Sequence, residues 1–416
     1  MFAQEFREIL ATIYDGLPRT LREPISPIVE STYFFLKRVL LVISQIRLSG
    51  YLLKGKEKWG NGSLTALLFA EKRSVAYFSG LLYAETPAKE WIGKVFVWKL
   101  KSILRLDTYK ADLIFVEMDA FFSRFLARMG FLILPQWVLF VLDISKPLPE
   151  IWKSAKNKSL QNNLRKIKKD QYSFEMSGDP AKFEYFYHHM YFPYAVKRFG
   201  EATIPSSYHY LKRAFERGQL LLVKRDDNHL AGTIIYLHKE RPWVHSVGIK
   251  EGSIEYLRQG VLAASYYFAI VWAKEKGYEL IDFGHCRPFL NDGVFRFKKT
   301  WGMGIERSKR NRAIFGMKVS NLNHGVRSFL SKNPFIFINR DRLRGYFLSD
   351  QDHPLMDQEI QSLFKTLYIS GLDCLIINCS RGLTQQARDI AKTRFTQRVY
   401  LENMPPEEFF GKIDTF

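Results

Sequence analysis

Residues 278–302 read YELIDFGHCRPFLNDGVFRFKKTWG, from Tyr278 to Gly302. Leu280 and Ile281 ahead of Asp282 read as a short buried strand that ends in a carboxylate. Asn291-Asp292-Gly293 carries the residues that a sharp reversal needs. Val294 to Trp301 then reads as an aromatic and basic helical turn, closed by Gly302 where a helix favours a C′ glycine. A strand that leads through glycine into a cationic turn puts charge at the mouth of a sheet, a common position for ligand sites.

Working outward, a chain of 416 residues can bury a large core and hold two or three domains. Its 47% hydrophobic and 25% charged residues exclude wholesale disorder. The net charge of +20 selects anionic partners: phosphorylated substrates, nucleic acid or an anionic membrane face. Cys286, Cys374 and Cys379 are too few and too unevenly placed for a disulfide framework, and the Cys374–Cys379 spacing is not that of a zinc knuckle. A reducing, cytoplasmic compartment and no metal are expected. The opening MFAQEFREILATIYDG has acidic residues where a signal peptide is basic. No run reaches the roughly 20 apolar residues of a membrane span: Lys37 and Arg38 interrupt Tyr33–Ile46, and Phe131–Ile144 carries Pro135 and Gln136.

In chain order, residues 1–60 read as a basic amphipathic helical leader, with Leu40, Leu41, Ile43, Ile46 and Leu48 as its apolar stripe. It either packs on the body of the protein or lies on a membrane surface. Leu64–Ala70 and Ser74–Leu82 read as a hairpin about Glu71-Lys72-Arg73. A strand over Ala111–Glu117, a short helix over Phe121–Met129 and strands over Phe131–Leu134 and Trp137–Leu142 follow. Trp152–Lys169 reads as a helix crowded with cations, either a solvated linker or a phosphate-contacting element. Adjacent His188 and His189 point apart on a helix and cannot share an ion. Residues 218–249 read as an antiparallel meander and Tyr256–Lys276 as one long buried helix; after 330 the chain reads as βαβαβ, with strands over Gly345–Leu348, Leu372–Asn378 and Arg398–Leu401 and helices over Leu355–Ile369 and Leu383–Lys392. Tyr109–Phe131 repeats the order of Tyr278–Met303, which suggests a duplicated unit.

The order meander, long helix, Asp282-Phe283-Gly284, Asn291-Asp292-Gly293, Phe297-Lys298 and Trp301-Gly302 resembles the FemAB-like branch of the GNAT acyltransferase superfamily. That branch includes peptidoglycan-bridge aminoacyltransferases and acyltransferase-like proteins associated with exopolysaccharide. Asn162–Lys169 is similar to the basic R-x-x-R-K-A-x-K helix of the same group. The resemblance implies an α/β (α+β, mixed-sheet) protein: a leader over 1–60, a degenerate GNAT-like domain over 61–150, and a basic linker helix over 151–170. A second GNAT-like domain with the site over 171–330 and a small α/β appendage over 331–416 complete it.

It also implies acyl or aminoacyl transfer to an amine or hydroxyl of a cell-envelope polysaccharide or peptidoglycan precursor. Lys298 matches the family lysine associated with substrate phosphates. Asp282 is the carboxylate for positioning or proton removal, or else it caps the next turn. Arg165 and Lys168 on the basic helix, Tyr256 and Arg258 at the start of the long helix, and His285, Arg287 and Arg296 are the substrate-binding candidates. The pocket is expected between Ser246 and Asp282. Arg258 stands two residues before Gly260 instead of the three of the CoA-binding loop, so both acyl-CoA and aminoacyl-tRNA stay open as donor. A phosphorylated or lipid-linked saccharide, tRNA and the anionic inner face of a membrane are the expected partners. The competing reading is a non-catalytic module of the same shape that recognises a glycolipid or a partner protein.

Overall fold

A computed structural model describes residues 38–39, 42–43 and 45–411, except 61, 106, 155–157, 201–204, 238–240, 309–310, 352, 380–394, 396–397 and 405. Most of the expected leader, and the helix expected over 383–392, lie outside the described residues. The architecture is mixed α/β, with three sheets.

The first sheet has the order β3–β1–β2–β4–β13–β5: Ala88–Phe96, Arg47–Lys56, Ser63–Phe69, Leu113–Asp119, Ala313–Val319 and Leu132–Pro135. The second has the order β12–β6–β11–β10–β9–β8–β7: Gly304–Arg307, Val138–Asp143, Leu280–Cys286, Trp243–Ile249, Asn228–Tyr236, Gly218–Arg225 and Ser173–Ser177. Each sheet runs antiparallel, takes one parallel step (β2 to β4, β10 to β11), then adds two antiparallel strands. This is the tandem arrangement of like units that the sequence implied.

The units exchange strands. β5 and β6 are separated by Gln136 and Trp137 alone, yet β5 ends the first sheet and β6 enters the second. The chain returns to the first sheet between β12, which ends at Arg307, and β13, which begins at Ala313. Sheet membership therefore crosses the expected boundary at 150, and each unit is completed by a strand from the other's half of the chain.

Other local readings are corrected. Residues 47–56, assigned to the leader, form β1, because Leu48, Gly50 and Leu52 alternate inward with period two. Ser74–Leu82 is not a strand but most of helix α1 (Lys72–Leu82), whose buried Ser74, Val75, Phe78 and Leu82 follow helical spacing. Helices α2 (Leu100–Arg105) and α3 (Ser123–Arg128) cover the other face of the first sheet. The basic helix α4 (Lys158–Lys169) forms as expected. The long helix is broken: α5 (Ile254–Gln259) and α6 (Val261–Glu275) meet at Gly260, whose φ of +92° suits glycine. Helix α7 (Gly293–Thr300) follows β11.

The C-terminal sheet, β14–β15–β16–β17 (Phe335–Asn339, Arg342–Ser349, Cys374–Cys379 and Val399–Glu402), starts ahead of the strand expected at 345. It is no appendage. In β16, Cys374 and Ile376 join the core shared with the first unit, while Leu375, Ile377 and Cys379 join that of the second. A strand buried on both faces has to be apolar throughout, as CLIINC nearly is.

Candidate active site

The parallel strands β10 and β11 share a single register pair, Trp243 with Asp282. On β10, Val244 pairs with Ile235 and Ser246 with Ile234, so His245 is the extra residue of a bulge. The pairing of β11 with β6 also slips between Asp282 and His285, where Gly284 has a φ of +69°. Bulges bend strands and re-aim side chains, and here the two strands part into a wedge. A cavity of about 1160 Å³ fills it, walled by Val244–Val247 and Phe283–His285 and closed by Leu262 and Tyr266 of α6 and Phe297 and Lys298 of α7. Asp119 of the first unit and Asn311–Ala313 of the return crossing complete the wall, so the cavity belongs to both units. A smaller cavity of about 390 Å³ adjoins it through the same Asn311–Ala313.

His245 lies inside the wedge, its Nδ1 2.7 Å from Ser246 Oγ and its Nε2 3.2 Å from the Tyr210 hydroxyl. Burial pulls its pKa down to about 4, so the imidazole is neutral at pH 7, with one nitrogen donating and the other accepting. Tyr210, His245 and Ser246 thus form a continuous hydrogen-bonded line along the cavity wall.

Lys298 is placed by the helix that carries it. Asp292 caps α7, its carboxylate accepting the N–H groups of Val294 (2.9 Å) and Phe295 (3.0 Å). Three residues apart on that helix, Phe295 and Lys298 turn inward and are buried. The Lys298 ammonium donates to the carbonyls of Gly284 (3.3 Å) and His285 (3.2 Å) and lies 5.3 Å from the Phe140 ring. It fastens α7 to the β11 bulge and sets a cation at the cavity wall. The Cys286 thiol next to it is pushed up to about 11 by burial, a rise the ammonium opposes.

His285 also lines the cavity, its Nε2 2.8 Å from Ser308 Oγ, which accepts Asn311 N–H at 3.0 Å and so ties β11 to the return crossing. Asp282 is elsewhere: Phe283 faces the cavity, so by strand alternation Asp282 faces away, and its carboxylate accepts Gly284 N–H at 2.7 Å. That contact is local, within the bulge of β11.

The remaining candidates do not gather at the wedge. Arg165, Lys168, Arg258 and Arg296 are exposed and line neither cavity. Arg165 donates to Asn162 Oδ1 at 2.9 Å, and Lys166 donates to the Arg258 carbonyl at 2.7 Å, docking α4 on α5. Tyr256 packs against the second core. Arg287 sits where the units meet, its guanidinium 3.9 Å from Trp137, 4.7 Å from Tyr77 and 5.4 Å from Phe315 by ring centroid. Burial draws its pKa down, and Glu117, itself raised by burial, faces it.

The sequence reading passed over His245, Tyr210, Arg198, Asn311 and Arg312, all on the cavity wall. Its one signal was the polar His245-Ser246 pair inside an apolar strand. Among the described residues no cluster of three or more His, Cys, Asp or Glu is arranged to hold a metal ion, and no helix is long and apolar enough to cross a membrane.

No family model matches the chain, and no curated protein matches it. Among solved structures it is similar to one described as FemX, at 14% identity over 64% of this chain and 83% of that one, with a TM-score of 0.34. It is also similar to L-PGS from Bacillus licheniformis, at 11% identity over 67% of this chain and 84% of that one (TM-score 0.32). A third is a GCN5-related N-acetyltransferase from Sphaerobacter thermophilus, at 10% identity over 66% of this chain and 79% of that one (TM-score 0.29).

Proposed function

We propose that this chain is an acyl- or aminoacyl-transferase of the GNAT and FemAB-like type. It would act on an amine or hydroxyl of a cell-envelope polysaccharide or peptidoglycan precursor, presented as a phosphorylated or lipid-linked saccharide at the inner face of the membrane. The observation that carries the reading is the wedge between β10 and β11, with a neutral imidazole on one wall and a buried ammonium on the other.

In this reading the acceptor nitrogen or oxygen attacks the donor carbonyl carbon, and the leaving group departs with the electron pair of the broken ester or thioester bond. The neutral His245 accepts the acceptor's proton or orients it, and Tyr210 and Ser246 hold the ring. Lys298, with Arg198 and Arg312 of the same cavity lining, favours negative charge at the wall, whether on a substrate phosphate or on the oxygen of the tetrahedral intermediate. The N-terminus of α6 carries Leu262 into the same wall, and Lys166 lies against Gly260, 3.4 Å from where a Cβ would stand. The positive end of a helix beside a lysine suits the phosphates of an acyl-CoA or the acceptor end of an aminoacyl-tRNA.

The test presents both donor classes with a lipid-linked saccharide and follows the acceptor's mass. Transfer with one donor, reduced about a hundredfold in His245→Gln, supports the reading. Tight glycolipid binding without transfer from either donor would replace it with the non-catalytic module.

A further inference from the structure

We propose that the outer layer of the first unit, formed by α2, α3 and the end of β3, docks on an anionic lipid bilayer and brings the cavity mouth to its surface. Three large apolar side chains project from this layer: Phe121 is 68% exposed, Trp98 60% and Ile43 55%. Their segments are joined. Ile46 donates its N–H to the Ile43 carbonyl and accepts that of Val97, next to Trp98. Phe121 donates its N–H to the Asp119 carboxylate, which also pairs with Arg38 at 3.3 Å, and Asp119 donates its own N–H to Gln45 Oε1 at 2.7 Å, one residue before Ile46. Below them Val97, Ile103, Phe122 and Phe125 pack on one core, so the layer is a single surface.

Its charge is one-sided. Of the exposed charged side chains between residues 91 and 130, seven are cations and one, Asp107, is an anion. Phe96 stacks on Trp98 with ring centroids 4.5 Å apart, and the Arg47 guanidinium lies 4.3 Å from the Phe96 ring. Cations with an indole at the level of lipid headgroups, and phenylalanine and isoleucine to enter the acyl boundary, form the composition of an interfacial surface. Nucleic acid would use the same cations, but an exposed isoleucine gains nothing from a phosphate backbone, which favours the bilayer.

The layer is continuous with the site, because Arg38 and Asp119 also line the main cavity. The docking stands on these surface residues alone. Its consequence, that a lipid-linked acceptor enters the cavity without leaving the membrane plane, rests on the transferase reading.

The experiment is flotation of the full chain with phosphatidylcholine vesicles with and without phosphatidylglycerol, needing no turnover. The chain is expected to float only with phosphatidylglycerol. Partition should fall about tenfold in Lys99→Glu/Lys101→Glu, and about tenfold in Trp98→Ser/Phe121→Ser, with thermal midpoints unchanged in both. Equal flotation with pure phosphatidylcholine, or wild-type partition of both variants, overturns the proposal. So does a result in which the same variants lose retention of a tRNA probe while vesicle binding is untouched. Transfer to a water-soluble acceptor, unchanged in both variants, separates failure of docking from failure of the transferase reading.

Discussion

In the first sheet the parallel strands β2 and β4 stay paired from Ala66–Leu113 to Phe69–Val116; in the second, β10 and β11 touch only at Trp243–Asp282. The strand pattern is otherwise shared. β4 is buried along its whole length, and Phe78 of α1 stacks on its Phe115 at 4.2 Å, so the place where a wedge would open is filled with aromatic carbon. In the second sheet a bulge on each strand pulls the pair apart, and polar side chains occupy the gap. One topology thus yields a closed platform and an open cleft, and the choice lies in two local irregularities. The platform still serves the cleft, since it contributes Asp119 to the cavity wall.

That contrast can be broken from either side. The largest effect is expected from Phe115→Ala, which empties the zipped side. It should cost about 3–5 kcal/mol of stability, read by denaturant unfolding, and leave transfer per folded molecule unchanged. A loss of turnover in the folded fraction would mean that the first sheet takes part in the chemistry.

Lys298→Met works on the open side. It keeps the apolar stem and removes the ammonium, so transfer should fall about a hundredfold. Losing its hydrogen bonds to the two carbonyls should cost about 1–3 kcal/mol. Lost stability with an undiminished rate would make Lys298 a strut between α7 and β11 and nothing more.

Gly284→Ala tests the bulge. With φ at +69° the new side chain costs about 1–2 kcal/mol, and a Cβ there would stand 3.3 Å from Trp243 Nε1. The thermal midpoint should drop by a few degrees, and substrate affinity should weaken more than turnover. An unshifted midpoint would mean that the strand relaxes and the wedge does not depend on that glycine.

A fourth test concerns protons. His245 titrates near 4 in the folded chain against 6.5 ordinarily. Between those values the unfolded chain takes up a proton that the folded one refuses, so stability present above pH 6.5 is lost as pH falls towards 4. His245→Gln should flatten that part of the stability profile. A slope unchanged between pH 7 and pH 4.5 would place the ring in water rather than in the wedge.

Much of the site's scaffold was legible. Asn291-Asp292-Gly293 announced the reversal after β11, and Val294 to Trp301 the helical turn that carries Lys298. Asp282 shows the limit: its strand-end position suggested chemistry, but which face it occupies depends on the slip between β11 and β6. The basic residues of α4 and the start of α5 misled for a related reason. Clustered cations advertise a surface, and only the packing of α4 on α5 directs that surface away from the wedge. Ser74–Leu82 failed on period, since small residues between its apolar ones satisfy both two-residue and helical spacing.

By itself the sequence determined the basic balance, the tandem α/β character, and the reversal and helical turn after β11 that carry Lys298. These follow from residue periodicity, turn chemistry and composition, which act over a few neighbours. Tertiary structure decided the exchange of β6 and β13 between units, the double-sided burial of β16, and the bulge that aims His245 into the cavity. Each of these depends on pairing between strands far apart in the chain, where a one-residue slip reverses which side chains face inward.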